Sequence, residues 1–294
     1  MSINDSAAFR FRITSVRPAH HYRPLVKEMK MKSIMVHAGG DNAFESRLQA
    51  GLDLARRFHG HMSLILPRPT QDYVAFDMFG GAHFVAEAFE AAEKERDKLC
   101  NRIDARLKAE DVPWDWKIFD GTTSDALINA GRLADVLVMS LDPAGTARAW
   151  ISDVVTASRT PVLAIPSKAA PLSFDRAMVA YDGGFEAANA LRAALPLLQA
   201  ASFVRISEIE IVPEQFPITD AATYLSRHGI NAEIAVAAKG DQSVEERLLA
   251  EAGAWGPDFL VMGAYGHGRW RETLFGGVTR FMLGALGIPI LLAH

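Results

Sequence analysis

The chain has a single cysteine, Cys100, in 294 residues. One thiol forms neither an intrachain disulfide nor a multi-thiolate metal centre, and it fits a reducing compartment, so the expected location is the cytoplasm. Long apolar runs are lacking as well. The longest, Phe281 to Ala293, falls short of the ~18 residues of a membrane-spanning helix, so no membrane partner is expected. There is no basic excess: 31 Lys and Arg stand against 35 Asp and Glu, a net charge of -4. That leaves no general footprint for a phosphate backbone and excludes nucleic acid as the main partner. Several catalytic signatures are missing too. No P-loop lysine motif occurs, which excludes a Walker-type ATPase. No Gly-x-Ser-x-Gly elbow or pair of catalytic carboxylates stands out, and nothing offers an activated nucleophile.

What is present is ordinary globular material, with 49% hydrophobic and 22% charged residues, which rules out a disordered chain. The length predicts two domains at ~150 residues each. Residues 1–30 stand apart. Arg10, Arg12, Arg17, Arg23, Lys27 and Lys30 face only Asp5 and Glu28 as acids. No apolar stretch of signal-peptide type follows. This basic extension reads as a loosely docked or disordered tail, from an upstream start codon given Met29 and Met31, in preference to an arm for an acidic partner.

From residue 31 the chain repeats itself. Ser33-Ile-Met-Val-His37 runs into Gly39-Gly40, and Ala177-Met-Val-Ala-Tyr181 runs into Gly183-Gly184. Each run is followed by helical periodicity: Leu48, Leu52, Leu54 and Ala55, then Leu191, Ala194, Leu195 and Leu198. Ala134-Asp-Val-Leu-Val-Met139 mirrors Pro257-Asp-Phe-Leu-Val-Met262, and each half ends on proline followed by an apolar run at 161–165 and 289–293. Strands are expected near 32–37, 62–66, 114–119, 135–140 and 161–165, and again near 176–181, 203–211, 231–237, 258–263 and 289–293. Helices are expected at 83–109, 122–133 and 241–254. Short Val/Ile/Leu-rich strands alternating with helices mean parallel sheet covered on both faces. The expected class is α/β: two tandem, doubly wound, five-stranded sandwiches, 31–166 and 172–294, joined by Pro166-Ser-Lys-Ala-Ala-Pro171.

The segment with chemistry follows the fourth strand of the second half: Gly263-Ala-Tyr-Gly266-His-Gly268-Arg-Trp-Arg-Glu-Thr-Leu-Phe-Gly276-Gly277-Val278-Thr279. Open parallel sheets bind ligands at the carboxyl ends of their strands. Gly263 and Gly266 allow a sharp turn and close approach to a ligand. Gly276 to Thr279 lead into a final helix from Thr279 to about Leu286, whose free N–H groups and dipole favour an anion. The Thr279 hydroxyl is a candidate phosphate donor, and Arg269, Arg271 and Arg280 are near in sequence. Asp182 ends the first strand of this half, next to the fourth strand across the usual switch point, where a carboxylate can accept from a ribose or a base amino group.

These residues resemble the ATP-binding branch of the universal stress protein family, whose motif runs Gly, two residues, Gly, nine residues, Gly, then Ser or Thr. Gly263, Gly266 and Gly276 fit that spacing, and Val278 and Thr279 match its continuation. Gly277 departs, standing where the family has Ser or Thr. Val179-Ala-Tyr-Asp182-Gly183 matches the strand-one signature. The resemblance covers residues 31–294 and is to the tandem form. It implies an adenine nucleotide alpha hydrolase-like fold, with ATP, with or without Mg²⁺, as ligand. It implies that Ala180, Tyr181 and Asp182 hold adenine and ribose, and that Met262 and Gly263 pack beside the ribose. Gly266 would then pass near the phosphates, and Gly276, Gly277, Val278 and Thr279 would bind them. It also implies pairing of two such units through their last strands. Here that is an intrachain pseudo-dimer, with the Val162 strand antiparallel to the Ile290 strand and a homodimer of whole chains beyond it.

The first half departs from the motif. Met139 to Pro161 spans fewer positions than Met262 to Pro289, Ser152-Asp153 would place a carboxylate at the helix opening, and Asp182 is matched by Ala38 or Gly39. No nucleotide is expected there. His59 and His61 lack a third ligand and read as surface residues. The loop from Tyr73 to Gly81 reads as packing against the partner half or as a lid. The leading expectation is a regulatory, stress-response nucleotide binder. The alternatives are a slow ATP-hydrolysing or nucleotidyl-transferring enzyme, relying on Asp182, His267 and Glu272, and an interaction module without nucleotide.

Overall fold

The computed structural model describes residues 31–68, 82–141, 146–168, 171–210, 217–264 and 277–294. The extension 1–30 and the loop Tyr73 to Gly81 lie outside them. In chain order the first half contains β1 (Ser33–His37), α1 (Phe44–Phe58), β2 (His61–Arg68), α2 (Ala82–Leu107), β3 (Trp114–Asp120), α3 (Thr123–Gly131), β4 (Val136–Leu141), α4 (Thr146–Ser158) and β5 (Val162–Pro166). The second half contains β6 (Arg176–Ala180), α5 (Phe185–Ala193), α6 (Leu195–Ala200), β7 (Phe203–Glu210), α7 (Ile218–Arg227), β8 (Ala232–Ala238), α8 (Val244–Trp255), β9 (Phe259–Gly263), α9 (Gly277–Ala285) and β10 (Ile290–Ala293).

The strands form one ten-stranded sheet in the order β3-β2-β1-β4-β5-β10-β9-β6-β7-β8. Both halves thus repeat the same doubly wound order, and every pairing within a half is parallel. At the centre β10 lies antiparallel to β5, with Ile290 opposite Ala164, Leu291 opposite Leu163 and Leu292 opposite Val162. This pairing gives each final strand a partner for its free backbone edge, which would otherwise be open to aggregation. The reversal also turns the carboxyl ends of the two sets of strands to opposite edges of the sheet.

The core follows from the period-two alternation of strands buried on both faces. Val136 and Val138 face one layer while Leu137 and Met139 face the other, and Leu291 and Leu292 divide in the same way. Helices α1, α2, α5, α6 and α7 cover the first face, and α3, α4, α8 and α9 cover the second. Each layer runs across both halves without interruption.

Local chemistry sets the helix ends. Ser243 and Glu246 form a reciprocal capping box at the start of α8, and Thr122 accepts from the Asp125 N–H at the start of α3. A repeated carboxylate ties each first strand to each fourth strand. Asp135 accepts from the N–H groups of Lys32 and Ser33, and Asp258 accepts from those of Asp175 and Arg176. The connection between halves is held to the first half. The Leu172 N–H donates to Asp53, Ser46 donates to the Ser167 carbonyl, and the Phe174 ring sits edge-on between Phe58 and Phe259.

Some boundaries differ from expectation. The final helix already includes Gly277 and Val278, ahead of the expected Thr279. The helical periodicity after β6 is two helices, broken where Pro196 enters the first turn of α6.

Candidate functional site

The expected switch point is where the sequence placed it: β6 and β9 are adjacent and parallel, with Ala180 beside Met262. The chain leaves β6 through Tyr181, which is buried and donates its N–H to the Ser207 carbonyl, and reaches Asp182, which is exposed. Asp182 Oδ1 accepts the N–H of Gly184, the N-cap of α5, at 2.9 Å. The carboxylate is therefore oriented by the opening of a helix, while Oδ2 has no partner among the described residues. A preset acceptor at the carboxyl edge of a parallel sheet suits a hydroxyl or amino donor.

Gly263 ends β9 beside this point, and close helix packing requires a glycine there in addition to any approach of a ligand. A Cβ on Gly263 would lie 2.6 Å from the Ala187 nitrogen and 2.7 Å from the Glu186 carbonyl carbon. The glycine lets β9 press against the first turn of α5. Thr279 is 5% exposed and its hydroxyl donates to the Gly263 carbonyl at 3.4 Å, tying α9 to β9. A hydroxyl has one proton, so Thr279 would have to give up that bond to donate to a phosphate. Gly277 and Arg280 are exposed on α9, and Val278 packs partly against the second layer. Ala180, Tyr181, Asp182, Met262, Gly263 and Thr279 thus gather at one edge of the sheet. Gly266, His267, Glu272 and Gly276 lie outside the described residues, as do Arg269 and Arg271.

Strand pairing also fixes how the halves correspond. Val138 lies beside Val36, and Val261 beside Val179. Counting on from these, His37 matches Ala180, Gly39 matches Asp182, Ser140 matches Gly263 and Arg47 matches Ala190. The register left open in the sequence is therefore Gly39. At this edge of the first half lies a cleft of about 370 Å³, lined by His37, Gly39, Asp41, Arg47, Met139 and Trp150 among others.

Arg47 was missed by sequence reasoning. It is 2% exposed on the inner face of α1. Its Nε donates to the His37 carbonyl at 2.7 Å, and Nη1 and Nη2 donate to Asp41 at 3.1 and 2.7 Å. A Cβ on Gly39 would lie 2.7 Å from Asp41 Oδ2, so an aspartate there, as in the second half, would displace the carboxylate from Arg47. Partial burial pushes the Asp41 carboxyl up, but the hydrogen bonds and charge of Arg47 outweigh it and the net shift is down. Burial, then the Arg47 charge, lowers His37 to about 3, so its imidazole is neutral at ordinary pH. The signal for Arg47 was available: it occupies a core position between Phe44 and Leu48 in an otherwise apolar stripe, six residues after Asp41.

His59 forms the left-handed cap of α1 and His61 lies 3.3 Å from Asp115. Among the described residues no group of three or more His, Cys, Asp or Glu could hold a metal ion, and no helix is long and apolar enough to cross a membrane.

The solved structures that match define the fold class. A universal stress protein from Archaeoglobus fulgidus DSM 4304 matches with TM-score 0.67 and 14% identity, over 88% of this chain and 97% of that one. A universal stress protein, so described provisionally, from Pseudomonas aeruginosa UCBPP-PA14 matches with TM-score 0.61 and 14% identity, over 90% and 93%. A protein of unknown function from Pseudomonas aeruginosa PAO1 matches with TM-score 0.55 and 14% identity, over 90% and 92%. The chain has the fold of the universal stress proteins along most of its length. No protein-family model and no curated protein matches it.

Proposed function

We propose that this chain is a cytoplasmic, stress-response regulatory protein that binds ATP or a related adenine nucleotide, with or without Mg²⁺, in a second domain of residues 172–294. The first domain, 31–166, carries a different crevice. One observation carries the reading. Asp182 stands exposed and helix-oriented at the end of β6, beside the Met262–Gly263 end of β9 and the opening of α9. Asp182 Oδ2 would take a ribose hydroxyl, the Met262 end of β9 would flank the sugar, and the N–H groups of Gly277 and Val278 would face phosphate at a helix start. The glycine motif through Gly266 and Gly276 supplies the rest of the phosphate contacts in this reading. The output is a change of conformation or assembly set by occupancy, including pairing of whole chains, rather than turnover.

The test is nucleotide binding by the full chain and two variants. Gly276→Asp should abolish binding, because its carboxylate would face the phosphates, and Asp182→Ala should weaken it by roughly tenfold, the loss of one charge-assisted hydrogen bond. Undiminished affinity in both variants would overturn the assignment. Phosphate release above background, lost on changing His267 or Glu272, would favour an enzyme instead.

A further inference from the structure

We propose that the crevice of the first half is a separate ligand site, which takes an uncharged, planar heteroaromatic molecule held by the His37 imidazole and the Trp150 ring. The proposal starts from the imidazole. His37 is 7% exposed, lines the cleft, and its ring nitrogens have no hydrogen-bond partner among the described residues. A neutral imidazole offers one donor and one acceptor that point away from each other across the ring, so a ligand ring carrying a donor or an acceptor can engage one of them. Trp150 stands edge-on to it, ring centroids 6.2 Å apart and planes at 89°. The indole lines the same cleft and adds an aromatic surface, and Leu66, Leu99 and Met139 complete an apolar wall. A volume of about 370 Å³ is at the small end of ligand pockets and accommodates one or two fused rings.

The charge pattern argues against an anion. Arg47 is the cation among the described residues that line the cleft, and the Asp41 carboxylate and the carbonyls of His37 and Gly39 accept from it. Asp41 is part-exposed beside it and would repel a phosphate or carboxylate. Gly39 replaces the aspartate that the second half presents to a sugar. The first half has therefore exchanged the features of a nucleotide site for an internally neutralised pair and a neutral, aromatic-lined cleft. This inference does not depend on nucleotide binding by the second half.

The test uses benzimidazole as probe, with benzimidazole-5-carboxylate as the anionic form of the same ring. Binding to the intact chain is followed by ligand-observed NMR and by Trp fluorescence. Benzimidazole should bind, and the carboxylate should bind at least about tenfold more weakly. His37→Phe, which keeps a ring but removes both nitrogens, should weaken benzimidazole about tenfold, while Lys239→Ala, at an exposed residue of the other half, should leave it unchanged. Should His37→Phe fail to fold, Trp150→Leu gives the second reading, with a several-fold loss expected. The proposal is overturned by absence of benzimidazole binding to the folded wild type, by undiminished binding in the foldable cleft variants, by equal binding of the carboxylate, or by displacement of the probe by ATP in the Gly276→Asp protein.

Discussion

His37 gives a stability prediction with a definite sign and size. In the folded chain its imidazole titrates at about 3 against an ordinary value of 6.5, held down first by burial and then by Arg47. Below 6.5 the unfolded chain takes up a proton that the folded chain refuses. The unfolded state then binds more protons, and stability falls as the pH falls. The contribution is complete above 6.5 and is lost progressively down to about 3. Each pH unit is worth about 1.4 kcal/mol, so between pH 6.5 and 4.5 this one group should cost about 3 kcal/mol. The Asp41 carboxyl is shifted below its ordinary range, so its own contribution is lost only at lower pH. Urea unfolding of wild type and His37→Gln at pH 7.5 and 4.5 isolates the effect, because the other titrating groups are common to both. The acid-induced loss should be smaller in His37→Gln by about 3 kcal/mol, and the His37 ring signal in NMR should not titrate across this range. Equal acid losses in the two proteins, or a His37 titration near 6.5, would refute the argument.

The Arg47–Asp41 pair should respond asymmetrically. Asp41→Asn leaves a guanidinium that is 2% exposed without its counter-charge and should cost about 3–5 kcal/mol. Arg47→Met keeps much of the volume and leaves a carboxylate 43% exposed to water, at about 1–2 kcal/mol; chemical denaturation should rank them in that order. Gly263→Ala should destabilise by about 1–3 kcal/mol, because its Cβ meets the backbone of α5, and a melt at the wild-type temperature would show the contact to be relieved elsewhere. Leu291→Lys places a charge at a fully buried position opposite Leu163. It should lower the stability of both halves together, and differential scanning calorimetry showing loss in the second half alone would contradict a shared junction.

The strands were legible because their apolar runs are short and bounded by glycine, proline or aspartate. Ala134-Asp135 and Pro257-Asp258 announced β4 and β9, and the same aspartates then cap the amides before β1 and β6. The antiparallel approach of Val162 and Ile290, which the resemblance implied, is the pairing observed. Periodicity gave α2, α3 and α8 but not every bound or break: Ser152-Asp153 lie in the middle of α4 and not at its opening, and Pro196 interrupts a stripe that reads as continuous from Leu191 to Leu198. At the candidate site Asp182 and its neighbour strand were readable from order alone. Gly263 was readable as a point of close approach, but a glycine demanded by helix packing and one demanded by a ligand look the same in sequence. Arg47 was overlooked since a charge on a helix face is normally solvated, although its place between Phe44 and Leu48 in an apolar stripe marks it as facing inward, where it meets Asp41.

The central claim is one nucleotide site per chain, in the second half. Calorimetric titration of the intact chain with ATP measures it directly. The account predicts a single class of sites with a stoichiometry of about one per chain, retained in His37→Gln and lost in Gly276→Asp. A stoichiometry of two equivalent sites, or no binding by a folded chain freed of retained ligand, would contradict it.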